Sequence, residues 1–115
     1  MNEPLPAVAI PTILVNELDQ MLKGNEDFVL LDLRHSVDNK KSWIASTRRI
    51  KIPVTDLIDH LNELPKDKKI VLFDTNGKRS PVAGRYLHGK GFKNLVKVSG
   101  GMIQWVKSGF PVARP

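Results

Sequence analysis

The chain of 115 residues contains no cysteine. That excludes disulfides, thiolate metal sites and thiol nucleophiles. Acidic residues are missing from its last third: residues 75–115 hold 8 Lys+Arg and no Asp or Glu, whereas residues 1–74 hold 10 Lys+Arg against 12 Asp+Glu, which together give the net charge of +6. Aromatics make up only 6%. No apolar run approaches the ~20 residues of a membrane-spanning helix, so no membrane association is expected. The opening Met1-Asn-Glu-Pro-Leu-Pro lacks a basic, then apolar, export signal, and a cytoplasmic location is the expectation. His35, His60 and His88 have no mutual metal-ligand spacing, so neither a metal nor a cofactor is expected. There is no internal repeat or low-complexity segment. The basic C-terminal part could serve nucleic acid or an acidic partner. Its bases are scattered, however, so a solvated face with one anion pocket is the simpler reading and nucleic acid is not expected.

What is present is ordinary globular material, 41% hydrophobic and 26% charged, long enough for one hydrophobic core. Residues 1–115 read as a single domain with an extended, proline-bearing lead-in over 1–11. Thr12–Leu14 suits a short strand, and Asn16 an N-cap for a helix carrying Leu18, Met21 and Leu22. Phe28–Leu33 is a buried-type strand. A helical turn is expected around Asn39–Trp43, and Arg48–Ile52 alternates as a half-exposed strand does. A capped helix follows from Thr55, with Leu57, Ile58, Leu61 and Leu64 as its apolar stripe, closed at Leu64-Pro65. After Phe92 come a strand to Val98, the turn Ser99-Gly-Gly101 and a last helix, Met102–Lys107. Strands alternating with helices argue a parallel or mostly parallel sheet covered on both faces.

Residues 69–80 concentrate the chemistry. Ile70–Phe73 is a continuous apolar run fit for a central strand. Thr75, Asn76, Gly77, Lys78, Arg79 and Ser80 form a polar loop, and Ser80-Pro81 reads as an N-cap with proline at the first helical position. Strand, tight loop and helix N-terminus together make an anion cradle, since loop N–H groups and the helix dipole converge on one spot. Gly77 permits a positive φ. At the mouth stands a residue already anionic, Asp74. Two outcomes are open for it: the carboxylate fills the cradle itself, or it points to solvent and caps the helix. Asp32 and Arg34, at the end of the 28–33 strand, either pair with each other or support the pocket.

The chain resembles the rhodanese-like domain over nearly its whole length. The resemblance rests on Gly100-Gly101-Met-Ile-Gln-Trp105 through Gly109-Phe-Pro111-Val112, similar to that family's closing signature, and on Leu31-Asp32-Leu33-Arg34, similar to its early Asp-x-Arg. It rests also on Asp74-Thr-Asn-Gly77-Lys-Arg79-Ser80, similar to an active-site loop of pattern Cys-x-x-Gly-x-Arg-Ser. It implies a three-layer α/β/α fold around a mostly parallel five-stranded sheet. It also places Asp74 at the position of the catalytic cysteine, and residues 43–50 depart from the family's usual segment there. In that family a thiolate holds sulfur as a persulfide, which a carboxylate cannot do. The resemblance therefore implies a domain without sulfurtransferase activity, serving a binding or regulatory role beside a protein partner or fused domain and taking small anions weakly if at all. Two alternatives are a sulfurtransferase whose cysteine has been replaced, and phosphoryl transfer on Asp74, because Leu72-Phe-Asp74-Thr-Asn-Gly77 also resembles a haloacid-dehalogenase-like opening. The latter needs Mg²⁺ held by later carboxylates that this chain lacks.

Overall fold

Two strands written as unbroken apolar runs sit at the heart of the sheet. In the computed structural model, which describes residues 8–115, β2 (Phe28–Asp32) and β4 (Lys69–Phe73) lie side by side in parallel register, Phe28 opposite Lys69 and Asp32 opposite Phe73. Outside them lie β3 (Arg49–Lys51), β5 (Leu95–Val98) and β1 (Thr12–Ile13), giving the order β1-β5-β4-β2-β3 with every pairing parallel.

Side-chain alternation explains why both faces need cover. Val29, Leu31, Ile70 and Leu72 point to one face, where α3 (Ser80–Gly89) contributes Ala83 and Leu87. Phe28, Leu30, Val71 and Phe73 point to the other, against Val15 and Leu18 of α1 (Val15–Lys23) and Met102 and Trp105 of α4 (Gly101–Lys107). The result is the three-layer α/β/α arrangement around a five-stranded sheet. The short α2 (Ser36–Lys41) sits beyond the C-terminal end of β2, and no helix among the described residues is long and apolar enough to cross a membrane.

Local expectations meet three corrections. Helix α1 begins at Val15, so Asn16 is inside it; the cap is built from the third helical residue instead, the Glu17 carboxylate accepting the Leu14 N–H at 3.2 Å. The helix expected from Thr55 is a pair of 3-10 segments, Val54–Asp59 and Leu61–Glu63. Only Leu57 and Leu64 of the expected stripe are buried, with Ile58 63% exposed, so the segment lacks the continuous apolar face that would hold an α-helix against the core. The helical turn near Asn39 ends at Lys41, and Trp43 instead makes an antiparallel bridge with Ala113. Of the lead-in expected over 1–11, residues 1–7 lie outside the described span. Residues 8–11 have no regular structure, yet Ile10 is buried and Pro11 accepts a hydrogen bond from Lys97.

Candidate functional site: the loop after the central strand

The middle strand of the sheet, β4, hands the chain directly to Asp74, whose side chain is only 1% exposed. The loop that follows turns back over it. Gly77 takes φ +85°, a conformation L side chains rarely adopt, which aims its N–H at Asp74 Oδ1. Oδ2 accepts the backbone N–H of Arg79 at 2.8 Å, that of Ser80 at 2.8 Å and the Ser80 hydroxyl at 3.0 Å. One carboxylate thus takes up the first N–H groups of α3, which have no partner inside the helix. Ser80 is buried and donates its hydroxyl inward. It does not cap its own helix, and Arg79 occupies the N-cap position.

Helix α4 supports the loop from behind. The Met102 N–H donates to the carbonyl of Asp74 at 2.8 Å, and the Ile103 N–H to that of Thr75 at 3.0 Å. These bonds require Gly101, at φ +55°: a Cβ there would lie 2.2 Å from the Asp74 carbonyl oxygen. Thr75, Asn76, Lys78 and Arg79 are exposed. Asn76 Oδ1 accepts the Lys78 N–H at 3.1 Å, a local turn, and Arg79 Nη1 lies 2.9 Å from His35 Nε2. A guanidinium only donates, so His35 Nε2 is the acceptor in that contact.

Asp32 and Arg34 form a separate unit. Arg34 grips the Asp32 carboxylate in a fork, Nε to Oδ1 at 2.9 Å and Nη2 to Oδ2 at 2.8 Å, and also donates to the Ser42 carbonyl at 2.9 Å. Arg49 adds a third contact, Nε to Asp32 Oδ2 at 3.1 Å, and Asn39 ties the group together by donating to the Arg34 carbonyl and accepting from Arg49 Nη2. No hydrogen bond among the described residues joins this unit to Asp74. The two meet only as walls: Arg34 and Thr75 both line an open cavity of about 400 Å³, with Lys41, Met102, Ile103 and Lys107. Sequence reasoning missed Arg49, Asn39 and His35. No local signal marks them, because each acts on a residue distant in the chain. Gly101 carried a signal in the paired glycines before α4, though not the reason for it.

Known proteins can be set beside this geometry. Residues 14–108 match the rhodanese-like domain family. A sulfurtransferase of Allochromatium vinosum is 30% identical over 107 residues, covering 89% of this chain and 98% of that protein. The crystal structure of a rhodanese-related protein from Thermoplasma volcanium superposes with a TM-score of 0.78 at 28% identity, covering 91% of this chain and 99% of that one. A NAD-dependent persulfide reductase from A. fulgidus is 36% identical with a TM-score of 0.69; the match covers 84% of this chain but only 16% of the reductase. Two other curated relatives are likewise spanned only in part, 52% and 30% of their lengths. The shared fold and the match across most of its length make the chain a member of the rhodanese-like domain family.

Proposed function

We propose that this chain is a rhodanese-like domain silent in sulfur transfer, acting as a binding or regulatory unit. One observation carries the reading: the residue at the head of the loop is Asp74, buried and saturated by loop N–H groups, in a chain without any cysteine. A persulfide forms when a thiolate attacks a sulfane sulfur and keeps it in an S–S bond, and a carboxylate oxygen has no equivalent product. Where a thiolate and an incoming anion would be stabilised by the converging N–H groups, Asp74 supplies its own negative charge. An external anion then meets like charge and donors already in use. The longer relatives, in which the matching part is a fraction of the whole, support a role alongside another domain or partner.

The test is thiosulfate:cyanide sulfur transfer with this chain and with Asp74→Cys side by side. The chain as it stands is expected to be inactive and the Cys variant to turn over, since Gly77, Arg79, Ser80 and the support from α4 are all in place. Turnover by the unaltered chain would sink the proposal.

A further inference from the structure

The buried ion group at the end of β2 is short of negative charge. Asp32 supplies one carboxylate to two guanidinium groups, Arg34 with its side chain 3% exposed and Arg49 with 14%. One positive charge is left over in a largely desolvated place, which is unfavourable unless a further anion answers it. Each guanidinium uses Nε and Nη2 and leaves Nη1 without an acceptor among the described residues: Arg34 serves Asp32 and the Ser42 carbonyl, and Arg49 serves Asp32 and Asn39.

Arg49 forms part of the wall of an open cavity of about 360 Å³, lined also by Asn39, Lys40, Trp43, Lys51 and Pro115. No Asp or Glu side chain lines it. Lys40 and Lys51 are exposed and make no ion pair among the described residues. Trp43 is half-buried, and two backbone hydrogen bonds to Ala113, at 3.0 and 2.7 Å, hold its main chain in place. Its indole N–H has no partner among the described residues. The cavity thus joins an aromatic platform to three cations, one of them a guanidinium with a spare pair of donors. Trp43 and Arg49 belong to the stretch of the chain that departs from the family's sequence pattern, and none of the lining residues belongs to the Asp74 loop.

We propose that this cavity binds a phosphorylated heteroaromatic of mononucleotide size, the ring against Trp43 and the phosphate at Arg49, Lys40 and Lys51. The free Nη1 of Arg49 offers two N–H donors to phosphate oxygens, the lysines add point charge, and an indole face accepts any planar base. The volume is near the lower end of ordinary ligand pockets, roughly 300–1,000 Å³, and suits one ring with one phosphate. A free nucleotide and the terminal unit of an RNA strand share this chemistry. The proposal does not depend on Asp74 or on the silence of the loop.

The experiment is titration of the full, ¹⁵N-labelled chain with 5′-AMP, adenosine, inorganic phosphate, phosphotyrosine and a hexameric oligoadenylate, followed at the Trp43 indole signal and the backbone amides of Asn39 and Lys51. We expect 5′-AMP to shift these saturably and to bind at least ~10-fold tighter than adenosine or phosphate. Lys51→Glu, an exposed change, should weaken AMP at least ~10-fold with the rest of the spectrum unchanged, and Trp43→Leu should abolish the advantage over phosphate. Tighter binding of the oligomer through the same signals would name RNA as the source, and equal or weaker binding a free nucleotide. The proposal is overturned if AMP gives no saturable shift up to ~10 mM. It is equally overturned if phosphate or phosphotyrosine matches AMP, if the shifts fall on residues 74–80, or if Lys51→Glu changes nothing.

Discussion

Asp32 ends β2 and Asp74 follows directly on β4, its parallel neighbour; each is 1% exposed, yet their carboxylates are held by different means. Asp32 is held mainly by two side-chain cations, Arg34 just past β2 and Arg49 of β3, with the Arg34 N–H adding a contact at 3.2 Å, and Asn39 links the group to α2. Asp74 is held by main-chain N–H groups from its own loop and by one hydroxyl. The difference lies in what stays behind when the carboxylate is removed. Around Asp32 the remainder is two buried charges, which nothing small and neutral can satisfy. Around Asp74 it is a ring of dipoles, which water or an anion can satisfy.

The largest expected effect follows from that contrast. Asp32→Ala should cost about 3–5 kcal/mol, the scale for stranding a buried partner charge, read as a fall in the urea midpoint. Next is Gly101→Ala, at about 2–4 kcal/mol, because a Cβ 2.2 Å from the Asp74 carbonyl oxygen must displace the loop and φ +55° is itself strained. In the Asp74→Cys background the same change should abolish recovered sulfur transfer. Asp74→Ala should lose less, about 1–3 kcal/mol, and added thiosulfate or phosphate should restore part of it. Thermal melts with and without anion would check this. If anion does not stabilise Asp74→Ala, its N–H groups are not an anion-accepting ring and the comparison fails.

The smallest effect concerns His60, on the exposed turn before Leu61–Glu63. Its hydrogen bond with Glu63, aided by the charges of Glu63, Asp56 and Asp59, raises its pKa above the ordinary 6.5. A raised folded pKa gives stability that is complete below the unfolded value and disappears as pH rises through the folded one. His60→Gln should therefore lower the melting temperature slightly at mildly acid pH and leave it unchanged above the folded pKa. An equal loss at all pH values would show that the contact acts through packing instead.

The sheet was legible because burial on two faces writes continuous apolar runs, and Phe28–Leu33 and Ile70–Phe73 are such runs. The loop was legible in outline from Gly77 and Ser80-Pro81, since a positive φ and a helix start leave local marks. The Asp32 unit was half legible: Arg34 is two residues away, but Arg49 reaches Asp32 only because β3 pairs with β2 with Leu30 opposite Arg49. Register between strands is a tertiary fact that spacing along the chain does not encode. The 3-10 segments were misread because their leucines have helical spacing, while only Leu57 and Leu64 of the stripe are buried and no apolar face holds an α-helix there.

The bonds from Met102 and Ile103 to the carbonyls of Asp74 and Thr75 also bear on the order of events during synthesis. β4 and its loop leave the ribosome well before residues 100–103 do. The loop can begin to curl around Asp74 by itself, but its first two carbonyls have no donors until the closing helix emerges. The loop is thus completed only by a segment made well after it, and a truncated product ending before Gly100 would contain all five strands while lacking a finished loop.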